Sequence, residues 1–247
     1  MVVLCLAAAL GGCRATGTHP LDPYEDSNRV VFAFNEGFDR WVLGPLATGW
    51  DFVMPGAVQQ SLVNAFRNLT TPLSALNHAL QAEFASSGSE LGRFVINSTV
   101  GLLGLFDVAD AWGIPADRTD FGHTLATWGV PPGPYLVIPF VGPSTARETT
   151  GLAMWFPAQT ELYHALGLRM TALTAADWVN TRSYEATDLE IARGAAMDYY
   201  IWSRTSFLQR RGIEVPGPEG AGYDDERWLR KDDDPRPDDG APEGGTP

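Results

Sequence analysis

The chain has 247 residues with 17 Lys and Arg against 30 Asp and Glu, a net charge of −13, and is 45% hydrophobic but only 19% charged. That length suits one large domain or two small ones with a sizeable core. The acidic balance repels phosphate polyanions and argues against a nucleic acid as partner.

Val2 to Leu10 is a run of nine apolar or small residues leading into Leu10-Gly11-Gly12-Cys13. A helix needs about 20 residues to cross a bilayer, so the run is too short to span one. It matches the apolar core of a secretory signal instead. The ending resembles a bacterial lipobox, which implies cleavage before Cys13 and lipidation of its thiol. A buried N-terminal helix that happens to hold Cys13 is the alternative. Arg14 beside the cysteine resembles the signal for onward sorting to an outer membrane. Cys5 then leaves with the signal and Cys13 is acylated, so no thiol is left for a disulfide, a nucleophile or a metal site.

From Asp26 to Leu46, the residues Val30, Val31, Phe34, Phe38, Trp41 and Val42 recur at helical spacing, with Arg29, Glu36, Asp39 and Arg40 on the opposite side. Pro55 to Leu69 repeats the pattern, and Thr71-Pro72 is expected to open a short separate helix through Leu80. Ser87-Gly-Ser-Glu90 reads as a capping box ahead of a helix carrying Leu91, Phe94, Val95 and Leu102, which Gly101 and Gly104 end or bend. Phe121 to Ala146 has 26 residues and no formal charge, and its five prolines and four glycines forbid a continuous helix. It predicts a short helix over Phe121 to Trp128 and an extended run over Tyr135 to Phe140. Such irregular apolar backbone is tolerated at membrane depth where protein buries it or where it lines a cavity. Thr145-Ala-Arg-Glu148 is a second capping box. Thr171 to Arg211 is strongly helical with a break near Asn180 to Ser183, and Arg210 and Arg211 suit its C-terminus before Gly212. From Pro216 to Pro247 there are ten acids, four bases and almost no aliphatic residues, which predicts a disordered acidic tail. Trp41 to Ala176, by contrast, carries only 14 charges in 136 residues, so something other than water is expected to touch that surface.

Asp22-Pro-Tyr-Glu-Asp-Ser-Asn28-Arg29 through Phe34-Asn35 to Asp39 resembles the opening signature of the MlaA (VacJ) outer-membrane lipoproteins. Further matches are Arg67-Asn68-Leu69 before Pro72, Asn97-Ser98-Thr-Val-Gly101-Leu-Leu-Gly104-Leu-Phe-Asp107, and Asp120-Phe-Gly122 through Trp128-Gly129. Gly133-Pro134-Tyr135 through Pro139-Phe140 and Gly142-Pro through Arg147 complete the set. The resemblance runs from about Asp22 to Val215. It implies an all-α fold, a ring of amphipathic helices in the inner leaflet of a Gram-negative outer membrane around an amphipathic channel. It also implies removal of mislocalised phospholipid from the outer leaflet, a trimeric porin as neighbour and a soluble periplasmic carrier, MlaC, as recipient. The expected division is a signal peptide over 1–12, a lipidated linker over 13–21, the helical domain over 22–215 and the tail over 216–247. Candidates to line the channel or to act as hinges are Asn28, Phe34, Asn35, Asp39, Asn97, Ser98, Gly101, Gly104, Asp107, Gly122, Gly129, Gly133, Pro134, Tyr135, Gly142 and Arg147. Bulky residues at Asn35 or Gly133 are expected to alter lipid passage without unfolding the protein.

Blander readings apply elsewhere. His19, His78, His123 and His164 lack metal-ligand spacing, and no metal or cofactor is expected. Asp107, Asp110, Asp117 and Asp120 suit helix caps and turns better than a cation site or an acid/base pair. No nucleophile elbow, Walker loop or dinucleotide fingerprint occurs, so an enzyme ranks last. A structural lipoprotein that scaffolds porins without moving lipid is the alternative function. The eight tryptophans form either an interfacial belt or ordinary core.

Overall fold

The computed structural model describes residues 19–168 and 170–214; the signal, Cys13 and the acidic tail lie outside these. Helix α1 (Glu25–Phe38) passes through a π turn (Asp39–Leu43) into α2 (Gly44–Val53). Pro45 explains the turn. A proline ring clashes with the carbonyl four residues back and supplies no N–H, so the ladder slips by one and Gly44 N donates to the Asp39 carbonyl.

Then come α3 (Gly56–Leu80) and α4 (Phe84–Thr99), which pair as a long hairpin, a single turn α5 (Val108–Ala111), and α6 (Phe121–Thr127). The expected separate helix after Thr71 does not form, because Pro72 is absorbed inside α3. The Thr70 and Thr71 hydroxyls both donate to the Arg67 carbonyl, supporting the turn that proline weakens. Nor does Ser87 cap α4. That helix starts three residues earlier, and the Ser87 hydroxyl donates to the Ala75 carbonyl of α3 at 2.8 Å. Tertiary partners claim the box.

Strands β1 (Tyr135–Ile138) and β2 (Gly142–Thr145) form an antiparallel hairpin, so the extended run is present with a partner the pattern did not reveal. Thr145 caps α7 (Ala146–Ala165) by accepting from Glu148 N, as its capping box predicts. Helices α8 (Met170–Tyr184), α9 (Ala186–Ala195) and α10 (Tyr199–Arg210) follow. The break falls at Glu185 rather than at Asn180 to Ser183. Asn180 is instead buried inside α8, where its amide accepts from the Trp50 indole at 3.0 Å and donates to the Gln59 carbonyl at 3.0 Å. Asp198, with two bonds to backbone amides, opens the last helix.

A small aromatic core sits where the hairpin, α1 and α10 meet: Tyr135, Val137, Tyr200, Phe207 and Leu208. Tyr135 lies edge-on to Tyr200 and to Phe207 at 6.2 and 6.3 Å between ring centroids, the arrangement aromatic quadrupoles favour. No described helix is long and apolar enough to cross a membrane.

Candidate functional site: a polar interior within an apolar shell

Helix α3 carries Asn68, Thr71, Ser74, Asn77, His78 and Gln81, all buried, at the spacing of three and four residues that defines one helix face. Glu90, Arg93 and Asn97 repeat that spacing on α4 and are equally buried. Both stripes hold the 100–120 segment by side-chain bonds. Glu90 accepts from Asp117 N at 2.9 Å and Ser74 from Thr119 N at 3.0 Å. Arg93 grips both Asp107 oxygens at 2.8 and 2.9 Å, while Asn97 donates to Asp107 and accepts from Ala109 N. Burial pushes the Asp107 pKa up, but the bonds from Asn97, the Asp110 amide and Arg93 outweigh it and hold the carboxyl below the usual range. Asp107 also caps α5, and Asp120 caps α6.

At the end of α3, the ring of His78 lies between two acceptors. Its Nδ1 is 2.8 Å from Glu83 Oε2 and its Nε2 is 2.6 Å from the Asp117 carbonyl. Only an imidazolium can donate to both. Burial opposes that charge, yet the two bonds prevail and the pKa is raised above the ordinary histidine value. Beside it opens a cavity of about 700 Å³, whose wall includes His78, Glu83, Asp117, Arg118, Asp120 and Arg211. Arg211 pairs with Asp120 at 2.8 Å and with Glu148 at 3.3 Å. A narrower cleft of about 10 Å³ between Asn68, Arg93, Asn97 and Asp107 also reaches Arg118.

Among the described residues, twenty buried side chains are polar or charged and only ten are hydrophobic, so beside the small aromatic core, hydrogen bonds and ion pairs hold much of this interior together. The large apolar side chains lie outside instead. Phe52 is 92% exposed, Trp41 79%, Leu103 77% and Phe84 73%. The apolar stripe that runs from α1 into the π turn, Val30, Phe34 and Trp41, faces outward, whereas Asp39 at the start of that turn faces in and takes Arg182 at 2.7 Å and Arg193 at 2.9 Å. Burial raises the Asp39 pKa, but the two arginines overcome it and hold it low. An exposed apolar surface of this extent marks an interaction with membrane or protein. Such an arrangement can shelter a polar group amid apolar surroundings without bond-making chemistry.

Residues 20–214 match the family model described as MlaA lipoprotein. The chain belongs to the MlaA lipoprotein family. The family is not one of enzymes. An uncharacterised protein of Rickettsia conorii is 44% identical over 211 residues, covering 85% of this chain and 84% of that one. The "Intermembrane phospholipid transport system lipoprotein MlaA" of Haemophilus influenzae is 30% identical over 225 residues, 87% and 89% of the two chains. Its namesake in Escherichia coli K12 is 30% identical over 230 residues, 86% and 89%. A solved structure described as "Structural basis for maintenance of bacterial outer membrane lipid asymmetry" aligns with a TM-score of 0.66 at 29% identity, covering 77% of this chain and 96% of that one.

The MlaA-like residues singled out in the sequence fall into separate places. Asn97, Ser98, Gly101, Gly104 and Asp107 gather beside Asn68, whose amide donates to Ser98 Oγ at 2.9 Å. Gly104 is obligatory there, since its φ is +91° and an added Cβ would lie 2.4 Å from the Asn68 Cβ. Asn28 and Asn35 clasp the hairpin. Asn28 donates to the Tyr135 carbonyl and accepts from Val137 N, and Asn35 does the same with Ile138 and Phe140. Phe34 stacks edge-on with Phe140 at 5.2 Å, and Tyr135 is core. The Pro134 carbonyl accepts from Ala146 N, and Gly133 faces the Ala146 Cβ. Gly122 and Arg147 both meet Glu148, while Gly129 and Gly142 have open space around them. Asp39 belongs to the arginine cluster on α8 and α9. Gln81, Arg93 and Arg118 do not stand out in the sequence, and His78 and Arg211 read there only as a histidine without metal-ligand spacing and as a charge at a helix C-terminus. The polar repeat along α3 is the signal that points to His78 and Gln81.

Proposed function

We propose that this lipoprotein extracts mislocalised phospholipid from the outer leaflet of a Gram-negative outer membrane through a polar passage and hands it to a periplasmic carrier such as MlaC. The observation that carries this is the inversion of the fold, polar within and apolar without. A phospholipid that changes leaflets must take its head group past hydrocarbon, and burying that group unsatisfied costs several kcal/mol. A pre-built polar interior lowers that barrier, and bilayer asymmetry supplies the driving force. Amphipathic helices with outward apolar faces, and no spanning helix among the described residues, suit a position within the inner leaflet, with Cys13 as a lipid anchor. A trimeric porin suits the outermost apolar surface as neighbour. The names of the Haemophilus and Escherichia relatives support phospholipid as cargo. Asn28, Asn35, Phe34, Tyr135 and Gly133 act on passage by setting the hairpin, and Asn97, Gly104 and Asp107 by shaping the cleft.

Outer-leaflet phospholipid measured in intact cells, with the gene deleted and then restored, tests this proposal. A rise on deletion that the restored gene reverses supports transport. An unchanged outer leaflet, with the protein still in the outer-membrane fraction, would favour a porin scaffold.

A further inference from the structure

The cavity beside His78 contains an electrostatic imbalance that its hydrogen bonds do not explain. Arg211 pairs through its Nη1 with Asp120 and Glu148. Two other arginines of the same wall, Arg118 and Arg210, make no hydrogen bond or ion pair among the described residues. Arg210 is exposed on the last turn of α10, and Arg118 keeps an exposed face although its guanidinium is partly desolvated in the wall. Arg118 is also the residue common to the wide cavity and to the narrow cleft, and it marks the boundary between them. Arg67 stands in the cleft wall as another cation, with Asp177 as a carboxylate in its field. Burial lowers the Arg118 pKa, with repulsion from Arg67 the next cause. A guanidinium does not lose its charge in proteins; Glu90 and Asp107 attract it from a distance, but among the described residues no carboxylate of the wall is hydrogen-bonded to it, which leaves its donors open to an anion from outside.

A volume of about 700 Å³ lies within the range of small-molecule sites, roughly 300 to 1,000 Å³. The cleft beyond Arg118, at about 10 Å³, has room for about one water. A planar fork of five donors recognises phosphate oxygens in pairs, which a carboxylate-lined wall alone cannot do. We propose that Arg118, assisted by Arg210, is the binding site for the phosphodiester of a glycerophospholipid head group. This inference rests on the lipid-transport reading and adds the residues that grip the cargo. The head group occupies the cavity with its phosphate on Arg118, and the acyl chains leave toward the apolar exterior. The anion relieves the repulsion between Arg118 and Arg67. Because Arg118 supports no internal bond, its replacement removes affinity and leaves the scaffold intact.

The test is calorimetric titration of the full-length lipoprotein in neutral detergent with dihexanoylphosphatidylglycerol. Dihexanoylglycerol, glycerophosphoglycerol and inorganic phosphate serve as comparison probes. Arg118→Gln is expected to weaken the phospholipid by about tenfold or more, the scale of one charge-assisted hydrogen bond. Arg118→Lys recovers part of that loss, and adding Arg210→Gln to Arg118→Gln deepens it. Binding of the phosphate-free diacylglycerol stays the same in all variants. Arg210→Gln, on the exposed last turn of α10, is an independent variant that weakens phospholipid at least threefold by itself. Phospholipid affinity within twofold of wild type in both single variants would overturn the site. Inorganic phosphate or the deacylated head group binding as tightly as the lipid, with the same dependence on Arg118, would assign it to a free phosphate compound and overturn the lipid source. In cells whose outer-leaflet phospholipid rises on deletion, Arg118→Gln restoring the leaflet fully would overturn the site alone. No rise on deletion would overturn the transport reading, whatever the titrations give.

Discussion

Arg204 and Asp22 are joined by a fully buried ion pair, Nη1 to Oδ2 at 2.9 Å, across 182 residues of sequence. The same carboxylate accepts from the Tyr200 hydroxyl and from Asn28 Nδ2. One short side chain at the start of the domain therefore holds α10, α1 and, through Asn28, the hairpin. Asp22→Ala is expected to lower stability by about 1.5–3 kcal/mol, the scale of a hydrogen bond to a charged group, because it removes the nearest counter-charge of the buried Arg204 guanidinium and leaves it Glu25 at 3.5 Å. Thermal denaturation of the lipoprotein in detergent measures this; a shift indistinguishable from zero would mean the pair holds nothing together.

His78 makes stability depend on pH in a definite direction. Its folded pKa is raised, so the folded state holds the proton more tightly than the unfolded one. Its contribution is fully present below the unfolded value of about 6.5 and is lost as pH rises through the folded value. Midpoints measured between about pH 6 and 9 should fall with pH in wild type and flatten in His78→Gln. A wild-type midpoint that rises over that window contradicts the assignment.

Helices α6 and α7 cross at a pair of glycines. A Cβ on Gly151 would lie 2.5 Å from the Gly122 nitrogen, and one on Gly122 would lie 2.0 Å from Glu148 Oε2. Backbone cannot yield as a flexible side chain can, so Gly151→Ala should cost about 1–3 kcal/mol, the range for overpacking. Gly92→Ala on α4, where nothing lies within 4 Å of the added Cβ, is the comparison and should be neutral or slightly stabilising. Urea denaturation of the two variants separates the outcomes.

Phe52, 92% exposed on α2, is expected to contribute to membrane attachment and nothing to the fold. Phe52→Glu should leave the thermal midpoint in detergent within about 0.5 kcal/mol of wild type, as surface substitutions do. It should also raise the fraction released from membranes by alkaline carbonate washing. Loss of stability with unchanged release would place the ring in an interior contact.

Helical periodicity along α1 and α4 was legible because amphipathic spacing is a local property of the sequence. Which side faces inward was not. Val30, Phe34 and Trp41 form the stripe a water-soluble protein would bury, yet they are exposed, as are Leu91 and Val95, while Glu90, Arg93 and Asn97 are buried. Periodicity identifies two faces and says nothing about the solvent each will meet. From sequence, Phe34 and Trp41 suit either lipid or other helices, and the burial of the folded chain decides. Long-range pairs such as Arg193 with Asp39, 154 residues apart, carry no local signal. The cavity is hidden for the same reason, since Arg118 and Arg210 come from opposite halves of the chain. Asn28 and Asn35 stand out in the sequence as channel or hinge candidates of the MlaA-like signature, but their amides are occupied by hairpin backbone, a role that only the hairpin's position discloses.

Passage of phospholipid out of the outer leaflet through this protein is tested most directly by the outer-leaflet phospholipid content of intact cells carrying a deletion, complemented by wild type or by Cys13→Ala. The expected result is a rise on deletion that wild type reverses and the unlipidated variant does not. An outer leaflet unchanged by deletion would contradict it.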